Sequence, residues 1–158
     1  MTNVITAVTN IARMRASCRF AMAVHVLTVL AYKEGDACTS SMLANSVNTN
    51  AVIIRRLLLS LQRAKLIETR KGAGAGSRLS RSPKRINLAQ IYRAVEEHEA
   101  FNKPSGKPNP ACPVGHCIRA ALEQIFTSAQ LAMEQDLEKT TLAGLIETVK
   151  ASGCCDKK

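Results

Sequence analysis

The sequence is short of aromatic side chains. Phe, Tyr and Trp together make up 3% of its 158 residues, and Trp is absent. The core must be built from Leu, Ile, Val and Ala, which favours helices packed on helices. The same shortage argues against a binder of single-stranded nucleic acid, which needs aromatic platforms for the bases. No apolar run reaches the roughly 20 residues that a bilayer requires, so no membrane partner is expected. The opening stretch MTNVITAVTNIARMR lacks a basic segment followed by an apolar one, the pattern of a secretory leader. A cytoplasmic location is the expectation. With it come six reduced cysteines rather than a disulfide framework.

Enzyme signatures are missing too. No G-x-x-x-x-G-K-[ST] occurs. The stretch KGAGAGSRL at 71–79 does not match G-x-G-x-x-G, and no helix opens directly after it to cradle a phosphate. No nucleophile–base set or pair of acids stands out, so the chain is not expected to be an enzyme.

What the sequence has is positive charge, unevenly placed. The formal net charge is +10. Residues 51–85 hold ten basic side chains (Arg55, Arg56, Arg63, Lys65, Arg70, Lys71, Arg78, Arg81, Lys84, Arg85) against one acid, Glu68. The remainder is close to neutral. A basic block inside a folded segment is the electrostatic footprint of a polyanion partner.

Hydrophobic spacing places that block. Residues 16–33 read as a buried helix with Phe20, Val24, Leu27 and Ala31 inward. TSSMLANSV follows, with Thr39 or Ser40 as N-cap and Met42, Leu43 and Val47 inward. NTN at 48–50 is turn chemistry. In AVIIRRLLLSLQRAK, Ile54, Leu57, Leu58 and Leu61 form the core face, while Val52, Arg55, Arg56, Leu59 and Gln62 turn outward. LIETR at 66–70 and RLS at 78–80 read as strands joined by the glycine stretch. INLAQIYRAVEEHEA forms a helix through Leu88, Ile91, Tyr92 and Val95. Four of the five prolines fall in 102–113, which predicts a loop. Residues 114–138 resume a long helix with an apolar stripe through Ile118, Leu122, Ile125, Ala129, Met133 and Leu137. A stripe of that length wants a partner helix, and a second copy is the natural candidate. A last short helix is capped by Thr140 or Thr141.

The expected fold is therefore mainly α with a small β-hairpin wing: a winged helix-turn-helix plus a long dimerisation helix. Residues 1–13 are expected to be a flexible extension and 14–100 the DNA-binding domain. A proline-rich loop follows at 101–113, a helical dimerisation region at 114–150 and a disordered tail at 151–158.

RFAMAVHVL, CTSSMLANSVNTNAVIIRRLLLSLQRAKLI, KGAGAGSRLSRSP, INLAQIYRAVE and NPACPVG together resemble the Rrf2 family of bacterial transcription regulators. The likeness is to its subgroup with a VNTN–VIRR turn and an NP–CPVG loop, and it covers about residues 14–150. Met14 falls where family members commonly begin. The resemblance implies a homodimer acting on palindromic double-stranded DNA, with NTNAVIIRR opening the recognition helix. Asn50, Val52, Arg55 and Arg56 would then face the major groove. Arginine is the commonest reader of guanine edges. Asn48 and Thr49 would bond phosphates or cap helices. Lys71 would stand at the start of the wing, with Gly74 in its tip and Arg78 on its return. Ala73 and Ala75 interrupt the family's run of glycines, so positive φ must fall on Gly72, Gly74 or Gly76.

Cluster-bearing members place three cysteines before the dimerisation helix. This chain has Cys112 and Cys117, with His116 between them. A [2Fe–2S] cluster needs four ligands, so no cofactor or metal is expected, and a cluster on Cys112 and Cys117 is the alternative. A thiol switch is the preferred signal. Cys18 is expected at the start of the first helix beside Arg15 and Arg19, Cys38 before the second, and Cys112 and Cys117 around the start of the long one. Cys154 and Cys155 fall in the tail. His25 is expected in the core and His98 in solvent. The functional expectation is a sequence-specific regulator, a repressor switched by cysteine oxidation. A helical protein–protein adaptor and an iron–sulfur-sensing regulator of the same fold are the alternatives.

Overall fold

A computed structural model describes residues 3–33, 36–70, 72, 74–96, 100–101, 106, 108–109 and 111–153; for 3–17 and 116 it describes the backbone only. Lys71, Ala73, His98, Cys154 and Cys155 therefore lie outside the described residues. The chain runs α1 (Asn3–Tyr32), α2 (Ser40–Val47), α3 (Ala51–Arg63), β1 (Ile67–Arg70), β2 (Gly76–Leu79), a 3-10 turn (Pro83–Arg85), α4 (Leu88–Val95), α5 (Pro113–Glu138) and α6 (Leu142–Ala151). It is a winged helix-turn-helix followed by one long helix.

Local chemistry fixes the helix ends. Thr39 caps α2 by accepting from the Met42 amide. Asn48 ends α2 in the left-handed conformation at φ 57°, which asparagine tolerates better than most side chains. Asn50 then caps α3 by accepting from the Val52 amide at 2.8 Å. Three residues thus stop one helix and start the next. Asn87 and Gln90 form a capping box at the start of α4, each side chain bonded to the other's backbone amide. Asn87→Ala should cost about 1 kcal/mol, read as a drop of about 3 °C in the melting temperature.

Leu27, Leu43, Ile54, Leu61, Ile86 and Ile91 meet in one core. The inward face of α3 is the expected set, since Ile54, Leu57, Leu58 and Leu61 are all buried. α1 differs. Its core stripe is Ala23, Val26, Leu27 and Leu30, while Phe20, Val24 and Ala31 are only partly buried. In α2, Met42 is half exposed, and Ala44 is buried in its place. In α1 an apolar stretch offers several faces, and only the neighbouring elements select one; in α2 the apolar residues Met42, Leu43 and Ala44 are consecutive, and the same packing turns the last two inward.

The wing is an antiparallel pair with Ile67 opposite Leu79 and Arg70 opposite Gly76. Cys38 adds a bridge beside it, through Cys38 N–H to Ser77 O at 3.0 Å and Ser77 N–H to Cys38 O at 2.9 Å. The hairpin is thereby sewn to the start of α2. Gly72, Gly74 and Gly76 all take positive φ, as the broken glycine run requires.

The backbone is helical from Asn3 through residue 14. α6, assigned with α5 to a separate region, joins the main core through fully buried Leu142. Leu142 N–H bonds Ile86 O at 2.8 Å and Leu88 N–H bonds Thr140 O at 3.0 Å. α5 instead projects. Arg93 of α4 holds Glu134 at 2.6 Å and Glu138 at 2.8 Å. Farther back, Val114, Ile118, Ile125 and Leu131 stand exposed.

Candidate nucleic-acid interface

α3 turns four leucine and isoleucine side chains into the core, so its opposite face must meet solvent. That face carries Val52, Arg55, Arg56, Leu59, Gln62 and Arg63. The two adjacent arginines do not share a direction. Arg55 leans toward α2 and the wing, its Nε 3.4 Å from Ser40 Oγ. There it lines a hollow of about 470 Å³ with Thr69, Arg70 and Gly76. Arg56 leans toward α1. With Arg19, Arg63 and Ser60 it lines a second hollow of about 460 Å³. The recognition face is thus flanked by basic side chains on both sides.

Of the polar turn residues, Asn48 and Asn50 are occupied in ending α2 and starting α3, and Thr49 is half-buried. Only the Oδ1 of Asn50 serves the cap, so its NH₂ donors are not used by that bond. Gly74 sits exposed at the wing tip with φ 75°, and a Cβ there would meet nothing within 4 Å. Arg78 pairs with Glu68 across the hairpin, so part of its charge is met within the wing. Such an exposed pair is worth roughly 0–1 kcal/mol and yields readily to a phosphate.

Sequence reasoning did not assign Arg19 and Arg63 to this surface. Arg63 had a readable signal, since it lies two turns after Arg56 on α3. Arg19 had none, because it reaches the same hollow from a different helix.

The Rrf2 family model, described as "iron-dependent transcriptional regulator", matches residues 16–148. A Bacillus subtilis protein, YwnA, described as an HTH-type transcriptional regulator, is 39% identical over 124 residues, covering 78% of this chain and 91% of its own. The chain belongs to the Rrf2 family of transcriptional regulators. A solved structure described as a DNA-binding protein is 35% identical to this Rrf2 chain with a TM-score of 0.64, covering 81% of this chain and 98% of its own. The global cysteine regulator CymR of B. subtilis shares the fold at 21% identity and a TM-score of 0.61, covering 82% and 94%.

The family description names iron, so the ligand set of this Rrf2 chain matters. Cys112 is the N-cap of α5 and Cys117 lies five residues on, about 140° round the helix. Among the described residues no three His, Cys, Asp or Glu side chains come together to hold a metal ion. The side chain of His116 lies outside the described residues. The described residues of one chain do not fit an iron centre.

The thiol environments differ from those expected. Cys18 is exposed, but it lies in the interior of α1 rather than at a helix start. Cys38 is buried, and burial pushes its thiol above the usual range, with Asp36 adding to the rise and Lys33 opposing it. It is therefore a core side chain and a poor nucleophile. Cys112 and Cys117 are exposed. Alkylation with iodoacetamide near pH 8, followed by peptide mass mapping, should label Cys18, Cys112 and Cys117 well before Cys38. Early labelling of Cys38 would contradict its burial. His25, expected in the core, is exposed, with Nε2 3.1 Å from Ser46 Oγ. No described helix is long and apolar enough to cross a membrane.

Proposed function

We propose that the chain is a homodimeric, sequence-specific DNA-binding repressor that acts on a two-fold symmetric operator. The observation that carries this reading is the outward face of α3, with Arg55 turned to the wing and Arg56 turned to Arg19 and Arg63. α3 lies in the major groove with Asn50, Val52, Arg55 and Arg56 toward base edges. Lys71, Gly74 and Arg78 bring the wing to the sugar–phosphate edge. Repression follows from occupying the operator. Oxidation sensing rests with the exposed thiols Cys18, Cys112 and Cys117.

The dimer is supported by α5. Ile118 and Ile125, seven residues apart on the same stripe, are 38% and 59% exposed. A second copy of the stripe buries both, because a two-fold axis sets the same patch against itself.

The test is duplex binding against salt, with footprinting and sedimentation. With about six phosphates neutralised, affinity should fall by roughly 10³-fold between 50 and 200 mM salt. Protection should be two-fold symmetric. Ile125→Asp should give a monomer that binds its operator far more weakly while keeping its helical content. Salt-independent binding without a preferred site would instead favour a protein–protein adaptor.

A further inference from the structure

α1 has more apolar surface than the core uses. Ala23, Val26, Leu27 and Leu30 are buried. The adjoining stripe through Phe20, Val24 and Val29 faces a groove of about 810 Å³ instead. α6 forms the opposite wall with Leu145, Ile146 and Val149. Ser46 of α2 and Leu88 of α4 close one side. The volume lies within the roughly 300–1,000 Å³ of small-molecule pockets.

The polar groups of this groove are few, and none of them is acidic. Lys150 Nζ stands 5.8 Å from the centroid of the Tyr32 ring. His25 Nε2 lies 3.1 Å from Ser46 Oγ. His25 and Tyr32 are seven residues apart on α1, so these points lie about 10 Å apart along the wall. Thr28 is already engaged, its hydroxyl donating to Val24 O at 2.8 Å. No acidic side chain lines the groove. Among the described residues, no ion pair engages Lys150.

We propose that this groove binds a small monocarboxylic acid with an apolar body, its carboxylate on Lys150 and its body along Val24, Val29 and Val149. An uncharged apolar molecule would leave the ammonium unused. A phosphorylated metabolite would leave the apolar walls unused. The carboxylate uses both. Ser46 lies two residues before Asn48, which ends α2 and leads into α3. A ligand whose body reaches along this wall to His25 and Ser46 therefore touches the segment that leads into the helix-turn-helix. Its use as an effector site rests on the DNA-binding function proposed above; the binding site does not.

The test is calorimetric titration of the full chain with octanoate and with 3-phenylpropanoate, using 1-octanol as the uncharged comparison. One acid should saturate at one per chain, with octanol roughly tenfold weaker. Lys150→Met should weaken the acid by about the same factor and leave octanol unchanged. Val149→Trp should fill the groove and abolish binding, with circular dichroism and sedimentation unchanged. The proposal is overturned if neither acid saturates, or if the acid binds Val149→Trp as well as it binds the parent. It is also overturned if Val149→Trp turns a dimer into a monomer, which would assign the groove to a second copy. Operator binding measured with and without the acid separates the two claims. Saturable binding in a chain that ignores DNA removes the effector role and keeps the site.

Discussion

Gly76→Ala is expected to lower the melting temperature by about 10 °C and operator affinity by roughly tenfold or more. Gly76 opens β2 at φ +154°, a conformation open to glycine alone. A Cβ there would meet Cys38 O at 2.9 Å and Ala37 atoms at 3.0 Å. The obstacles are two backbone atoms and the Ala37 Cβ, on the same segment that bridges Ser77, and no side-chain rotation moves any of them. The strain and the collision together cost about 3 kcal/mol. The wing must swing from α2, and Arg55 loses the wall it shares with the hairpin. Gly74→Ala is the control. Its φ is also positive, at 75°, but a Cβ there meets nothing within 4 Å, so its cost should stay near ~1 kcal/mol. Equal melting curves for the two variants would show that the Cys38 contact is not what fixes the wing.

Arg55→Ala and Arg56→Ala should each weaken operator binding by about 1–3 kcal/mol and relax sequence preference at one position per half-site. Arg19→Ala and Arg63→Ala should act differently. These arginines sit beside the outward face of α3, where the proposed docking would bring the phosphates. Each should weaken binding to every sequence alike and lower the salt slope by about 1. Binding to randomised half-sites, measured at several salt concentrations, separates the two classes. A change of sequence preference in Arg19→Ala with none in Arg55→Ala would reverse these roles. All four substituted side chains lie outside the core, so folding should be preserved, and thermal melting checks it.

How much of this surface was legible depends on how local its cause is. The outward face of α3 followed from a 3.6-residue period on one helix, with a sharp contrast between leucine and arginine. The caps Thr39 and Thr141 act within three residues of themselves and stood among the expected pairs, whereas Asn50 and Asn87 cap by the same chemistry without having been named as caps. The reading of α1 failed on its face, although its helical nature was clear. Residues 20–31 are apolar almost throughout, so no period could choose between the stripe from Ala23 to Leu30 and the stripe from Phe20 to Val29. The core took the first and left the second in the groove. His25 followed the second stripe out of the core. Cys38 stands before a helix, which by itself would favour a thiolate, but the wing folds over it and burial reverses the effect.

The sequence by itself determined the class of protein, the order of its elements and the basic face of α3. These depend on composition, on short periods and on turn residues whose backbone preferences are intrinsic. Only the tertiary structure decided where that face is completed. Arg19 joins Arg56 because α1 crosses beside α3, and the wing reaches α2 through a backbone bridge with no side-chain signature. It also decided that α6 packs into the main core and walls a groove on α1. Contacts between elements far apart in the chain are selected by which apolar faces fit together, and that fit is a property of the packed set.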